Sequence, residues 1–340
     1  MSALYPWHGN AWQQWQQLRA RLPHAVLFYG TQGTGKTHFA EACAAALLCE
    51  TPDATGHACG SCIACGWFAQ YSHPDFRRVR PEALEDDGAE GDEESDTKKT
   101  KSTKAPSKDI KIDQVRALGD FMNVSTHRSG MRVVLLHPVE ALNTAAANSL
   151  LKMLEEPPPH TIFLMVSNGL DRLLPTILSR CRKFALPMPD QAQALQWLRK
   201  QDVKDADGWL AEQGGAPLAA MDASLGEGRE AMDILLRQLA QPSVEGALKT
   251  ADALQKIPVP DLVAWQQRWL YDVLSSKLAG TIRYYPRFGK ELMRLAQGVD
   301  TAALLQAIKA IGERRAIADH PLAPKLFIED MLLEYTAAFS

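Results

Sequence analysis

The chain has 340 residues, enough for two or three domains, and its 46% hydrophobic and 23% charged residues are an ordinary balance for a folded, water-exposed protein. A formal net charge of −3 provides no overall field to draw in phosphate polymers, so any nucleic-acid contact would need a local basic patch. No apolar run approaches the ~20 residues that cross a bilayer. The stretch from Met1 to His8 has no basic region ahead of an apolar core, and the expected location is the cytoplasm.

Residues 25–29, Ala-Val-Leu-Phe-Tyr, are a short continuous apolar run with a glycine-rich exit, which predicts a buried parallel strand. Gly30-Thr31-Gln32-Gly33-Thr34-Gly35-Lys36-Thr37 follows, and the alanine- and leucine-rich residues 36–48 predict a helix. Strand, glycine loop and helix in that order form a complete nucleotide-phosphate loop. Backbone amides of residues 33–37 would converge on one concavity at the positive end of the helix. Gly30, Gly33, Thr34 and Gly35 would bring the backbone close, Lys36 would neutralise the outer phosphates, and Thr37 would offer its hydroxyl to Mg²⁺. The alternatives are a chance glycine loop, or a loop that keeps its shape and binds nothing.

Cys49, Cys59, Cys62 and Cys65 have the spacing C-x9-C-x2-C-x2-C. Two-residue gaps let neighbouring thiolates face one centre, and four thiolates complete a tetrahedral Zn²⁺ site with no open position, hence a structural one. An iron–sulfur cluster or a redox dithiol are the rivals. Cys43 and Cys181 read as small buried residues, and six cysteines in a chain expected in the cytosol do not suggest disulfides.

Residues 75–80 predict a further strand. Residues 82–96 are acidic and nearly free of apolar side chains, and 98–108 are rich in lysine, so about 82–108 is expected to be a disordered surface insertion or an interaction arm. Ile112, Val115, Leu118, Phe121 and Met122 recur at helical spacing, and residues 133–136 predict the next buried strand.

That strand runs into His137-Pro138-Val139-Glu140. Hydrolysis needs one carboxylate to hold Mg²⁺ and another to orient the attacking water, expected at the end of the strand beside the phosphate loop. Imidazole is a poor substitute for oxygen donors on this hard cation, and proline offers no acid. Glu140 lies beyond the strand tip and is expected to be solvated or to cap the next helix. Its recruitment for hydrolysis is the alternative.

Residues 143–156 predict a helix with Leu150, Leu151 and Leu154 on one face, stopped by Pro157-Pro158-Pro159, and Glu155-Glu156 at its end reads as structural. Residues 162–166 and 183–186 predict two more strands. Asn168, just past the first, is placed either to sense a terminal phosphate or simply to make a turn. Residues 170–181 predict a helical turn leading to a strand, with Arg180, in Ser179-Arg180-Cys181, presented on a loop near the sheet edge. A guanidinium carried into a neighbour's active site can be worth ~10³–10⁵ in rate, whereas a lone surface arginine usually makes a salt bridge. After Pro187-Met188-Pro189 the strands stop and helices fill the remainder, with no fixed-period repeat. The expected fold is α/β with a parallel sheet, followed by a small helical domain at 188–226 and an all-α domain at 227–340.

Together, Arg21-Leu22-Pro23-His24-Ala25, the cysteine group, the segment from Ala145 through Leu150-Leu151-Lys152-Met153-Leu154-Glu155-Glu156-Pro157-Pro158, and Ser179-Arg180-Cys181 resemble the clamp-loader branch of the AAA+ family. The resemblance covers most of residues 1–190 and more weakly the rest. It implies an AAA+ nucleotide-binding-like domain at 1–187 with its zinc module at 49–65, a lid at 188–226 and an oligomerisation collar at 227–340. It further implies a hetero-pentamer with a delta subunit and three gamma or tau motor subunits. That assembly, part of the DNA polymerase III holoenzyme, places a sliding clamp on primed DNA, and Arg180 would complete the adjacent motor's ATP site. Motor subunits keep the acid pair and carry a further arginine in the lid. This chain has His137-Pro138, and no arginine in Gly214-Gly215-Ala216-Pro217-Leu218-Ala219-Ala220. The implied subunit is therefore a non-hydrolysing one, with no polymerase and little or no ATPase activity of its own. Whether ATP or ADP with Mg²⁺ occupies the loop stays open. The competing readings are an autonomous ATPase or gamma/tau-like motor using Glu140, and a zinc-bearing DNA-binding protein without nucleotide function.

Overall fold

The structure, a computed structural model, describes residues 4–85, 106–123, 126, 130–226, 228–318 and 323–339. The chain divides into two compact units, Met1–Asp190 and Gln191–Ser340.

The first unit is built on strands β1 (Ala25–Tyr29), β2 (Phe76–Val79), β3 (Arg132–Leu136), β4 (Thr161–Ser167) and β5 (Arg182–Ala185), in the order β2-β3-β4-β1-β5. Every pairing is parallel. Side chains alternate across this sheet, as a period of two requires. Val26 and Phe28 face one apolar layer with Trp15, Phe39 and Leu48, while Ala25 and Leu27 face another with Val115, Leu150 and Ile177. The first layer is covered by α1 (Gly9–Arg19) and α2 (Lys36–Leu48), the second by α4 (Ile112–Asn123), α5 (Thr144–Glu155) and α6 (Pro175–Arg180). A short helix, α3 (Ile63–Ala69), starts inside the cysteine group. Helix α5 begins where Asn143 accepts a hydrogen bond from the Ala146 amide at 2.8 Å.

One expectation changes. Strand β1 lies between β4 and β5, so β3, with His137-Pro138 at its end, stands one strand farther from the phosphate loop than expected. Of the stretch 82–108, residues 86–105 lie outside the described residues, but the flanks are tied together. Glu82 accepts from the Ser107 amide at 3.1 Å and from Lys111 Nζ at 2.6 Å.

The second unit is helical. Helices α7 (Gln191–Lys200), α8 (Ala206–Glu212) and α9 (Pro217–Leu225) share a core of Ala194, Leu198, Trp209, Leu210 and Ala220. A larger core joins α10 (Gly228–Ala240), α11 (Val244–Leu254), α12 (Val259–Ala279), α13 (Gly289–Gly298), α14 (Thr301–Ile317) and α15 (Pro324–Phe339). Two of its buried polar side chains pair with each other and with the backbone. Trp269 Nε1 donates to the Tyr335 hydroxyl at 2.9 Å, and that hydroxyl donates to Leu239 O at 2.8 Å. Glu212 of α8, also buried, lies 3.5 Å from Arg229 of α10 and 3.2 Å from Arg287. Among the described residues no helix is long and apolar enough to cross a membrane.

Candidate functional site

Strand β1 delivers the chain to the phosphate loop, whose turns need glycine at two places. A Cβ on Gly30 would lie 2.3 Å from Leu186 O, and one on Gly35 would lie 2.6 Å from the Tyr5 ring, at a left-handed φ of 84°. Gly35 caps α2, so the loop amides meet the positive end of a 13-residue helix. Thr34 Oγ1 donates to Thr31 O at 2.9 Å, and Lys36 Nζ donates to the same carbonyl at 2.7 Å. Lys36 is buried, and burial lowers its pKa to about 8 against the opposing effect of the Glu140 charge. It is therefore predominantly an ammonium at neutral pH.

The N-terminal segment braces the loop from outside. Trp7 Nε1 and His8 Nε2 both donate to Thr34 O, at 2.9 and 3.0 Å. Burial lowers the His8 pKa to about 4, which keeps the ring neutral. Neither residue belongs to a phosphate-loop motif, and the apolar spacing of Trp12 and Trp15 signals only a helix.

The sheet register pairs Tyr29 with Ser167, so Asn168 emerges beside the start of the loop. Glu140 departs from expectation here. It sits on a 3₁₀ turn, Val139–Ala141, where it is neither a solvated side chain nor a cap on α5. Its Oε1 accepts from Ser167 Oγ at 2.7 Å, from the Gly169 amide at 2.9 Å and from the Asn168 amide. The turn after β4 leaves these amides without ladder partners, and one carboxylate oxygen collects them. Glu140 Oε2 is buried without a hydrogen-bond partner. Glu140 is thus a brace for the turn that carries Asn168.

At the end of β3, His137 is buried, and burial, with Arg78 and Arg80 nearby, lowers its pKa to about 4. Its amide donates to Val79 O at 3.0 Å, while its Nε2 is buried without a hydrogen-bond partner. A neutral, enclosed imidazole followed by proline supplies no anionic oxygen for Mg²⁺.

The expected helical turn leading to a strand is α6, and Arg180 is its last residue rather than part of a loop; β5, an edge strand, begins two positions later. Its Nη1 donates to Thr176 O at 2.9 Å and to Ser179 Oγ at 3.3 Å, and its Nη2 lies 2.5 Å from Glu155 Oε1. The side chain remains 33% exposed, enough to meet a further partner. Cys181 next to it is half-buried. Its thiol donates to Ile177 O at 2.9 Å, and burial pushes its pKa up to about 12.

The cysteine group lies at the other end of α2. Cys49 caps that helix and Cys62 caps α3. The four Sγ atoms of Cys49, Cys59, Cys62 and Cys65 all lie within 4.8 Å of one another. Two of the pairs, Cys49–Cys62 and Cys59–Cys65, are 3.9 Å apart. A tetrahedron with Zn–S bonds of ~2.3 Å has edges of ~3.8 Å, so the quartet has the size to hold such an ion. Backbone donors point at the sulfurs: Cys59 N to Cys49 Sγ at 3.3 Å, Cys62 N to Cys59 Sγ at 3.3 Å, and Cys65 N to Cys62 Sγ at 3.4 Å. The Thr51 hydroxyl, with donors from Ser61 and Cys62, holds the Cys59 thiol down to about 5. Helix α1 straps the excursion in place. Trp12 Nε1 donates to Thr55 O at 3.0 Å, and its ring stacks on His57 at 4.1 Å.

The family described as DNA polymerase III, delta subunit, matches residues 7–190. The DNA polymerase III subunit delta' of Pseudomonas aeruginosa is 34% identical over 98% of this chain and 90% of that protein. The chain belongs to the delta-prime family of clamp-loader subunits. The delta' subunit of Haemophilus influenzae is 30% identical over 93% of this chain and 91% of that protein. The DNA polymerase III subunit tau of Bacillus subtilis is 26% identical over 82% of this chain but only 45% of that longer protein. In this delta-prime chain the phosphate loop and the cysteine quartet are each assembled from local sequence, while the end of β3 contributes no carboxylate.

Proposed function

We propose that this delta-prime subunit does not hydrolyse ATP and instead lends Arg180 to the ATP site of a neighbouring gamma or tau subunit. The observation that carries the reading is the contrast between the end of β3 and the end of α6. The first holds a buried neutral His137 and a proline, the second an arginine whose side chain is one-third exposed. Phosphoryl transfer depends on positioned charge, so a subunit without metal-holding carboxylates contributes most by placing a cation against a neighbour's transferred phosphoryl group. The engagement of Glu140 Oε1 by three donors argues against the reading in which Glu140 drives an autonomous ATPase.

In this proposal the amides of Gly30, Gly33, Thr34 and Gly35, with Lys36, Thr37 and Asn168, form a site for ATP or ADP with Mg²⁺ that serves assembly rather than turnover. The cysteine quartet holds one structural Zn²⁺. Residues 1–187 form the AAA+ domain, 188–226 the lid and 227–340 the collar. The last joins delta and the motor subunits in a cytoplasmic hetero-pentamer that loads a sliding clamp on primed DNA. The test is Arg180→Ala in the reconstituted complex. Assembly should be retained, while ATP turnover stimulated by clamp and primed DNA falls several-fold or more, since an arginine finger is worth ~10³–10⁵ at its own site. Unchanged turnover would remove the trans-acting role.

A further inference from the structure

The helix that carries Glu155 does not explain its placement. Glu155 is the last residue of α5, where the helix dipole disfavours a negative charge, and its side chain is about half exposed. It nevertheless reaches across to the end of a different helix and places Oε1 2.5 Å from Arg180 Nη2. On its other edge the same guanidinium donates from Nη1 to Thr176 O at 2.9 Å and to Ser179 Oγ at 3.3 Å. A guanidinium has five N–H donors in a rigid fork, so these three contacts hold the group and leave donors over. An ion pair this exposed adds little to folding stability. Its effect is on where the guanidinium stands. A free arginine side chain would have to surrender its rotamer freedom on meeting a phosphate, whereas one already clamped has surrendered it.

We propose that Glu155 is the positioning residue of Arg180. Its carboxylate and the Thr176 carbonyl fix the guanidinium before the neighbouring subunit's phosphate arrives and turn its remaining N–H groups outward. The inference rests on the reading that Arg180 acts in trans.

The test uses the full reconstituted complex with clamp and primed DNA, and compares Glu155→Ala, Glu155→Gln, Arg180→Ala and the Glu155→Ala/Arg180→Ala pair. Single-turnover ATP hydrolysis gives the maximal rate and the half-saturating ATP concentration separately, and thermal melting of each isolated subunit monitors the fold. Arg180→Ala should slow the phase belonging to the site it completes by ~10³ or more. Glu155→Ala should slow that same phase by about tenfold, because the reacting groups are misaligned rather than lost. Half-saturation should stay within about twofold, and melting should match the parent. Glu155→Gln, whose amide oxygen still accepts a hydrogen bond, should recover part of the rate. The double variant should be no slower than Arg180→Ala alone. The proposal is overturned if Glu155→Ala is as fast as the parent or faster, if its loss adds to that of Arg180→Ala, or if it melts well below the parent. A silent Glu155→Ala beside a slow Arg180→Ala removes only the positioning role. A silent Arg180→Ala removes the trans-acting reading and this inference with it.

Discussion

Helix α2 begins at Lys36 in the phosphate loop and ends at Leu48, next to the first cysteine of the quartet, so two sites stand ~20 Å apart on one rigid element. At the C-terminal end all four cysteines come from one short stretch of chain, which helix α1 straps in place. At the N-terminal end the loop is local, but the groups that would act on a bound nucleotide come from β3 and β4, far away in sequence. A site assembled from separate strands can lose one component and keep the others. A component that is one charged group can be returned by another chain, because electrostatic assistance needs position and not covalent continuity. The cysteine quartet has no such freedom, since removing one ligand opens the coordination sphere.

The largest effect expected from disturbing this contrast is at the cysteine end. Chelation, or Cys59→Ser, should remove the ~1 bound metal ion per chain and lower the melting temperature by on the order of 10 °C, read by metal analysis and calorimetry. A full complement of metal in Cys59→Ser would mean that the four sulfurs do not act as one site. Iron in place of zinc would mean a cluster.

A smaller effect is expected at the other end. Gly35→Ala puts a Cβ 2.6 Å from the Tyr5 ring at a φ of 84°, and should cost ~1–3 kcal/mol in chemical denaturation. Metal content should not change, because all four cysteines lie in a separate stretch of chain at the far end of α2. Loss of metal in this variant would show that the two ends are coupled.

A further effect is expected in acid. His8 and His137 are both lowered from 6.5 to about 4 by burial. Between those values the unfolded chain binds more protons than the folded one, so stability should fall as pH drops from 6.5 towards 4. Urea midpoints at pH 7 and pH 5 measure this slope. His137→Gln should flatten it in part, and an undiminished slope would place the titration elsewhere.

What could be read from the residues follows the same division. The run 25–29, the glycine loop and helix 36–48 were legible because their signals are consecutive, and the bounds of α2 coincide with that reading. The cysteine spacing was legible for the same reason, although α3, seven residues long and without a periodic pattern to mark it, was not. The bracing of Asn168 by Glu140 was hidden, because the two are 28 residues apart and meet only once β3 and β4 are paired. The placement of β4 between β3 and the phosphate-loop strand was hidden likewise, since sheet order is not written in any one segment. The contact of Glu155 with Arg180 joins the ends of two helices, and helical periodicity describes each helix alone.

Phosphate release by the purified chain alone, with Mg²⁺, ATP and primed DNA, tests the central claim most directly. The account predicts a rate indistinguishable from background, with or without Lys36→Ala, because the end of β3 contributes no carboxylate to hold the metal. Sustained multiple turnover by the single chain, abolished by Lys36→Ala, would contradict it and return Glu140 to the centre of the mechanism.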